Sequence, residues 1–268
     1  MSKPLHVPWL RTLLTVVLLI PSQLEAVSSS PLQYDVSQYL AVRTVTVDDG
    51  LPSSTAYRVY QDADGFIWIV LWGGICRFDG TNLVRYERDS GLPYDSYSSI
   101  LQLDNGTMLV GSQRNGIFRL ENGTWSPVSI VSDFAQPDGG EMSQTVLSMV
   151  RDRQGRIWIG TADGIWRGDW HDGQLFAVSA GLKRRVVRTL LETPDGVIWA
   201  GTSGFIHCLT AGEWTTMRLP EGGKDQQVVN LVHDDGWIWL FTNDGLYRLK
   251  PGTGQIVPSD FGFEDRRI

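Results

Sequence analysis

Beyond residue 26 the chain carries three histidines, His171, His207 and His233, the side chains best suited to proton transfer near neutral pH. A histidine paired with a carboxylate at one point of a surface could act as acid and base in a lyase. These three lie in different stretches and at no metal-binding spacing, so nothing in the sequence makes them converge. "DADG" at Asp62 to Gly65 looks like the opening of a calcium loop, but no stretch supplies the remaining oxygen ligands or a closing glutamate. The recurring aspartates Asp62, Asp64, Asp152, Asp195, Asp234 and Asp235 are therefore read as turn formers. No Gly-x-Ser-x-Gly, phosphate loop or Cys-x-x-Cys is present, and neither metal nor cofactor is expected. Tryptophan offers more, because its broad apolar face and N–H suit sugar-like or peptide-like ligands. Of the eleven, Trp68, Trp158, Trp199 and Trp239 stand at one repeated place, which Leu109 fills once, and are read as packing. Trp72, Trp125, Trp166 and Trp170, with His171, lie outside that column and are the candidate ligand contacts.

A repeat must position these residues. "DRQGRIWIGTADGIW" (Asp152 to Trp166) returns as "DADGFIWIVLWGGIC" from Asp62, "LDNGTMLVGSQRNGIF" from Leu103, "TPDGVIWAGTSGFI" from Thr193 and "HDDGWIWLFTNDGLY" from His233. The leading glycines, Gly65, Gly106, Gly155, Gly196 and Gly236, are 41, 49, 41 and 40 residues apart. A period of about 40–45 residues with this turn chemistry marks a propeller blade. In the third unit "TVLSMVRD", "RIWIGT", "IWRGD" and "QLFAVS" read as strands A to D, joined by turns whose Asp-Gly pairs supply the positive φ of tight hairpins. The sequence thus predicts an all-β fold, a β-propeller of four-stranded blades. The expected blades span roughly 54–88, 98–130, 145–179, 186–219 and 228–260 within a propeller region at 41–268. Such a fold gathers loops from every blade around one axial pocket, where a few side chains can meet a ligand together.

Bulk properties narrow the function. A net charge of −7 gives no broad surface that would attract phosphates, so no nucleic-acid partner is expected. Residues 1–26 join Lys3 and Arg11 to the apolar run Leu13 to Ile20 and end at Ala26, the pattern of a secretory signal; residues 27–40 then read as a linker. The eight-residue apolar run is much shorter than the ~20 residues that span a bilayer. Export to the periplasm is the expectation. Cys76 and Cys208 fall in the first and fourth repeats and are expected to be free, buried thiols.

"DDGLPSSTAYRVYQDADGFIWIVLWGGICRFDG" (Asp48 to Gly80) and "SMVRDRQGRIWIGTADGIWR" (Ser148 to Arg167) resemble two-component regulator propeller repeats. "SGLPYDS" at Ser90 to Ser96 echoes the opening "DGLPSS" in the same style. Those repeats belong to exported sensor portions of bacterial hybrid histidine kinases and diguanylate cyclases. The resemblance implies a non-catalytic periplasmic region that senses a small molecule, carbohydrate or peptide in kind. It also implies a downstream signalling domain, with full-length relatives anchored in the inner membrane. Propeller lyases of the streptogramin-lyase type have similar repeats and supply an enzymatic alternative; a protein-interaction propeller is a third. The chain departs from the family at "WIVLWGG", at Leu109, at "WLFT" and in the long connection Val131 to Gln144, which is expected on one rim. "YLAVRTVTV" (Tyr39 to Val47) reads as a strand that completes a last blade, yet the fifth unit owns a D strand in "GQIVPSD". "GFEDRRI" (Gly262 to Ile268) aligns with the linker "GLKRRVV" (Gly181 to Val187). The expected arrangement is five blades of an incomplete seven-bladed ring, with a self-contained five-bladed ring as the competing one.

Overall fold

Alternating apolar residues and glycine turns fold the chain into antiparallel sheets. The computed structural model describes residues 44–132, 141–220 and 225–259. Blade one is β1 (Ala56–Gln61), β2 (Ile67–Leu71), β3 (Ile75–Phe78) and β4 (Leu83–Tyr86). Blade two is β5 (Tyr97–Gln102), β6 (Met108–Ser112), β7 (Ile117–Glu121) and β8 (Thr124–Pro127). After β9 (Ser129–Ser132) come the strands of blade three, β10 (Val146–Arg151), β11 (Ile157–Thr161), β12 (Gly164–His171) and β13 (Gln174–Gly181). Blade four is β14 (Thr189–Glu192), β15 (Ile198–Gly201), β16 (Phe205–Thr210) and β17 (Glu213–Arg218). Blade five is β18 (Val228–Asp234), β19 (Trp237–Thr242), β20 (Leu246–Leu249) and β21 (Ile256–Ser259). Within each blade every strand pairs with the next in sequence, as a propeller requires.

The repeated column fills the space between blades. Trp68 packs into the junction of blades one and two, Leu109 into that of two and three, Trp158 into that of three and four, and Trp199 into that of four and five. Trp239, the fifth member, is half-buried. A buried indole N–H usually finds a partner, although that of Trp125 has none among the described residues. Asp62 accepts the Trp68 Nε1–H at 2.7 Å while its other oxygen takes the backbone N–H groups of Asp64 and Phe66. Asp152 does the same for Trp158 at 2.7 Å, and in blade four the Thr193 hydroxyl accepts from Trp199 at 3.2 Å. The aspartates thus form turns, as their spacing suggests, and also anchor the ring six residues on. The second unit has Leu103 and Leu109 at the two positions and lacks both partners of the bond.

The glycine after the tryptophan answers a different demand. A Cβ on Gly160 would lie 2.5 Å from Ser148 Oγ and 2.8 Å from the Val187 carbonyl oxygen, which belongs to the next blade. Gly111 and Gly201 face equivalent crowding from Val146 and Val228. The two "GLP" segments also share one geometry. Leu51 and Leu92 are buried, and their N–H groups reach the carbonyls of Thr46 and Glu87.

Several expectations need revision. The connection after β8 does not simply stand on a rim: its first residues form β9, which pairs parallel to β13 as a fifth strand along the outer edge of blade three. His233 aligns with the turn residue Asp152 but is in β18 opposite Ile238; the turn is Asp235–Gly236, with φ of 45° and 71°. Thr44 to Val47 are not in a strand, and the rest of the proposed strand from Tyr39, the signal and linker, and "GFEDRRI" lie outside the described residues. Cys76 and Cys208 are free, as expected, but only Cys76 is fully buried; burial pushes its thiol up to about 12. Among the described residues no helix is long and apolar enough to cross a membrane.

Candidate functional site

Up-and-down strands send the A–B and C–D turns to one face of the propeller and the B–C and D–A loops to the other. On the second face, between blades one and two, a cleft of about 420 Å³ is lined by Pro52, Trp72, Gly73, Glu87, Arg88 and Tyr94. Trp72 follows β2 and Tyr94 precedes β5, and the Trp72 Nε1–H donates to the Tyr94 hydroxyl at 2.8 Å. Their rings meet edge to face at 5.9 Å, with Trp72 38% and Tyr94 66% exposed. Two large aromatics held this open to solvent are unusual unless they meet something. Asp95 fixes the loop beneath them: its buried carboxylate accepts from the backbone N–H of Ser96 and Arg114, the Arg114 Nε–H and the Asn115 amide. Its carbonyl takes the Gly73 N–H at 2.8 Å.

The same face leads to the axis. A cavity of about 620 Å³ is lined by Tyr57, Arg58, Val59, Ser98, Gln113, Leu147, Arg188, Val229 and Asn230. In blades one, two, three and five the register of the inner strand slips just after its first residue, at Ala56/Arg58, Tyr97/Ser99, Val146/Ser148 and Val228/Asn230. The extra residues are Tyr57, Ser98, Leu147 and Val229. In blade four Arg188 occupies the matching place, its N–H bonded to the Gly201 carbonyl while Thr189 pairs with Gly201. A bulge re-aims a side chain, and here four bulge residues and the matching Arg188 line one cavity. Arg58 Nη1 donates to Asn230 Oδ1 at 3.1 Å, joining the inner strands of blades one and five. Burial lowers the Arg58 guanidinium from its ordinary value, which is high enough that the group stays charged.

The remaining sequence candidates go elsewhere. Trp125 is buried against Trp68 and Tyr86 at centroid distances of 6.2 and 6.1 Å, and Trp166 lies in the core between blades two and three. Trp170 and His171 border a shallower hollow with Asp104, Arg151 and Asp169, on the A–B face opposite Trp72. Only Trp72 of the five stands at the cleft and axial face. His207 is fully buried, its ring nitrogens 3.0 Å from Thr202 Oγ1 and 2.8 Å from Thr216 Oγ1. Burial, and then the charge of Arg185, push its imidazole down to about 4. Among the described residues no group of three or more His, Cys, Asp or Glu side chains is arranged to hold a metal. Tyr94 and the bulge residues escaped sequence reasoning. The echo of "GLP" at Pro93–Tyr94 was the available signal for the first, and the bulges left none.

Five four-stranded blades set about an axial cavity make the chain a β-propeller. A family model described as the two component regulator propeller matches three stretches of it, residues 50–73, 140–163 and 181–204. No curated protein matches the chain. Among solved structures it is similar to the extracellular domain assigned to a hybrid two component system of B. thetaiotaomicron, with 19% identity and a TM-score of 0.63 over 80% of this chain and 31% of that one. It is also similar to virginiamycin B lyase from Staphylococcus aureus, with 15% identity and a TM-score of 0.62 over 80% and 73% of the two chains. A third is PorZ, a surface component of the type-IX secretion system of Porphyromonas gingivalis, with 17% identity and a TM-score of 0.57 over 77% and 33%. The chain spans about a third of the first of these proteins.

Proposed function

We propose that the chain is the ligand-sensing propeller region of an exported bacterial signalling receptor, of the histidine kinase or diguanylate cyclase type, working in the periplasm. The observation that carries this reading is the axial cavity, to which every blade of a regulator-type propeller contributes the same strand position. Its volume of about 620 Å³ lies within the ordinary range for small-molecule sites. The exposed Trp72–Tyr94 pair on the same face suits the flat apolar side of a sugar or peptide. Ligand occupancy would be passed to an output domain joined to this region.

The similarity to a lyase gives a second reading, and the histidines argue against it. His207 is enclosed by threonines, His171 is on the opposite face, and His233 is in β18; none of them lines the axial cavity or the aromatic cleft. The test is a thermal-shift screen of the chain with neutral sugars, short peptides and organic acids, followed by mass spectrometry of each compound after incubation. A sensor should be stabilised by ~2.7 kcal/mol at a ligand concentration of ~100 Kd, and the compound should be recovered unchanged. Chemical conversion of a stabilising compound would establish the lyase reading; no thermal response across the library would overturn the sensor reading.

A further inference from the structure

We propose that the axial cavity binds a small carboxylate-bearing molecule between Arg58 and Arg188. This inference rests on the sensor reading and names the class of ligand that the cavity would take.

Charge balance carries it. Six arginines pair with acids: Arg85 with Glu87, Arg114 with Asp95, Arg119 with Glu121, Arg151 with Asp104, Arg153 with Glu192 and Arg156 with Asp152. Others, among them Arg77, Arg88, Arg167, Arg218 and Arg248, are in no ion pair among the described residues, so what sets Arg58 and Arg188 apart is that both line one cavity. The two axial arginines have no such partner among the described residues, although acids outnumber bases 30 to 23 in the chain. No aspartate or glutamate is among the described residues that line the cavity. Arg58 meets the neutral amide of Asn230, which engages one of its five N–H donors. The Nε–H of Arg188 is shut off from solvent and has no hydrogen-bond partner among the described residues. Two unbalanced positive charges in one half-buried cavity repel each other, at a cost that a bound anion would remove. Guanidinium groups match the planar, two-oxygen geometry of a carboxylate better than that of a point charge. Val59, Leu147, Val229 and Tyr57 give the cavity apolar walls, which calls for an organic body behind the acid group and not a bare inorganic ion.

The test measures binding to the full chain by calorimetry and thermal shift at constant ionic strength. The probes are citrate, glucuronate and N-acetylglutamate, compared with glucose and N-acetylglutamine, which lack the acid group. At least one carboxylate should bind and raise the melting temperature, and glucuronate against N-acetylglutamate separates a sugar acid from a peptide acid as its source. Arg188→Gln should weaken that binding ~10- to 100-fold, the loss of a charge-assisted hydrogen-bonded pair. Arg188→Lys should fall between. Because Arg58 also ties blade one to blade five, Arg188 is the residue to vary. Without ligand, Arg188→Gln should melt at or above the parent, since it removes one of two repelling charges, and this readout confirms that the variant folds. Binding that Arg188→Gln leaves unchanged, neutral probes that bind as well as the acids, or no binding by any of the three carboxylates would each overturn the proposal. A neutral probe that binds would leave the sensor reading intact, whereas that reading falls only on a silent library screen.

Discussion

Replacing Asp152 by Asn tests whether a turn carboxylate holds a tryptophan in the space between two blades. Asp152 accepts from the backbone N–H groups of Gln154 and Arg156 at 3.0 and 2.9 Å, and from Arg156 Nε–H and Trp158 Nε1–H at 2.7 Å each. Burial by itself raises the carboxyl pKa, but the Trp158 and Arg156 hydrogen bonds outweigh it and hold the group below its ordinary value. Asparagine can keep its oxygen on the two backbone donors, which turns its NH₂ toward two groups that also donate. Arg156 can turn to water; Trp158, 2% exposed, cannot. A buried donor without a partner costs ~1–3 kcal/mol. Taking about 2 kcal/mol and the scaling of ~2–4 °C per kcal/mol for a domain of this size, Asp152→Asn should melt ~4–8 °C lower in calorimetry. Blade four shows how else the bond can be made: Thr193 accepts from Trp199 and donates to Asp195 at 2.5 Å. Asp152→Thr with Gln154→Asp should therefore recover part of the loss. An unchanged melting temperature in Asp152→Asn, or a double variant no more stable than Asp152→Thr alone, would refute the anchoring argument.

Three further predictions follow from the same packing. His207 has a folded-state pKa of about 4 against an ordinary value of 6.5, so its contribution is complete above pH ~6.5 and is lost as pH falls toward 4; the linkage amounts to about 3 kcal/mol, and His207→Gln should flatten the stability profile over that interval in urea titrations. Gly160→Ala forces a Cβ against Ser148 Oγ and the Val187 carbonyl, and should destabilise by ~1–3 kcal/mol, whereas an alanine scan of exposed turn residues stays within ~0.5 kcal/mol in the same assay. Trp125→Ala should cost ~3–5 kcal/mol, while Trp72→Ala, at an exposed ring, should leave stability nearly unchanged and reduce the thermal response to ligand.

How far the sequence could be read depended on which side chains reported their surroundings. The blades were legible because glycine turns and the Trp68–Trp158–Trp199 column mark the same strand in each unit, and the fold demands it of every unit. The partner of each indole was not, because Asp62, Asp152 and Thr193 look like ordinary turn residues until the turn curls back over the strand. Trp125 and Trp166 escaped the repeated column, yet burial claimed them; exposure is decided by which face of a strand a residue occupies, and only Trp72 stands beyond the end of its strand. The axial residues were hidden for a related reason. A bulge adds one residue and reverses the alternation that follows it, so the period-two pattern misplaces Arg58, while Arg188 stands just before the first paired residue of β14. His233 differs from its aligned counterpart Asp152 because of a shorter hairpin: with Asp235–Gly236 alone making the turn, the strand runs one residue past it.

The bulges separate two tasks that most protein interiors combine. Residues next to them, such as Val146 and Val228, are committed to packing between blades, while Tyr57, Leu147, Arg188 and Val229 reach the cavity from positions outside those clusters; Ser98 reaches it too but also donates its hydroxyl to the Val146 carbonyl of the next blade. Four of the five blades therefore offer a site of free choice to a shared surface. If the cavity is the recognition site proposed above, a lineage of such proteins can change what it recognises by single substitutions at these places, one blade at a time, without re-solving the interior that keeps the blades together.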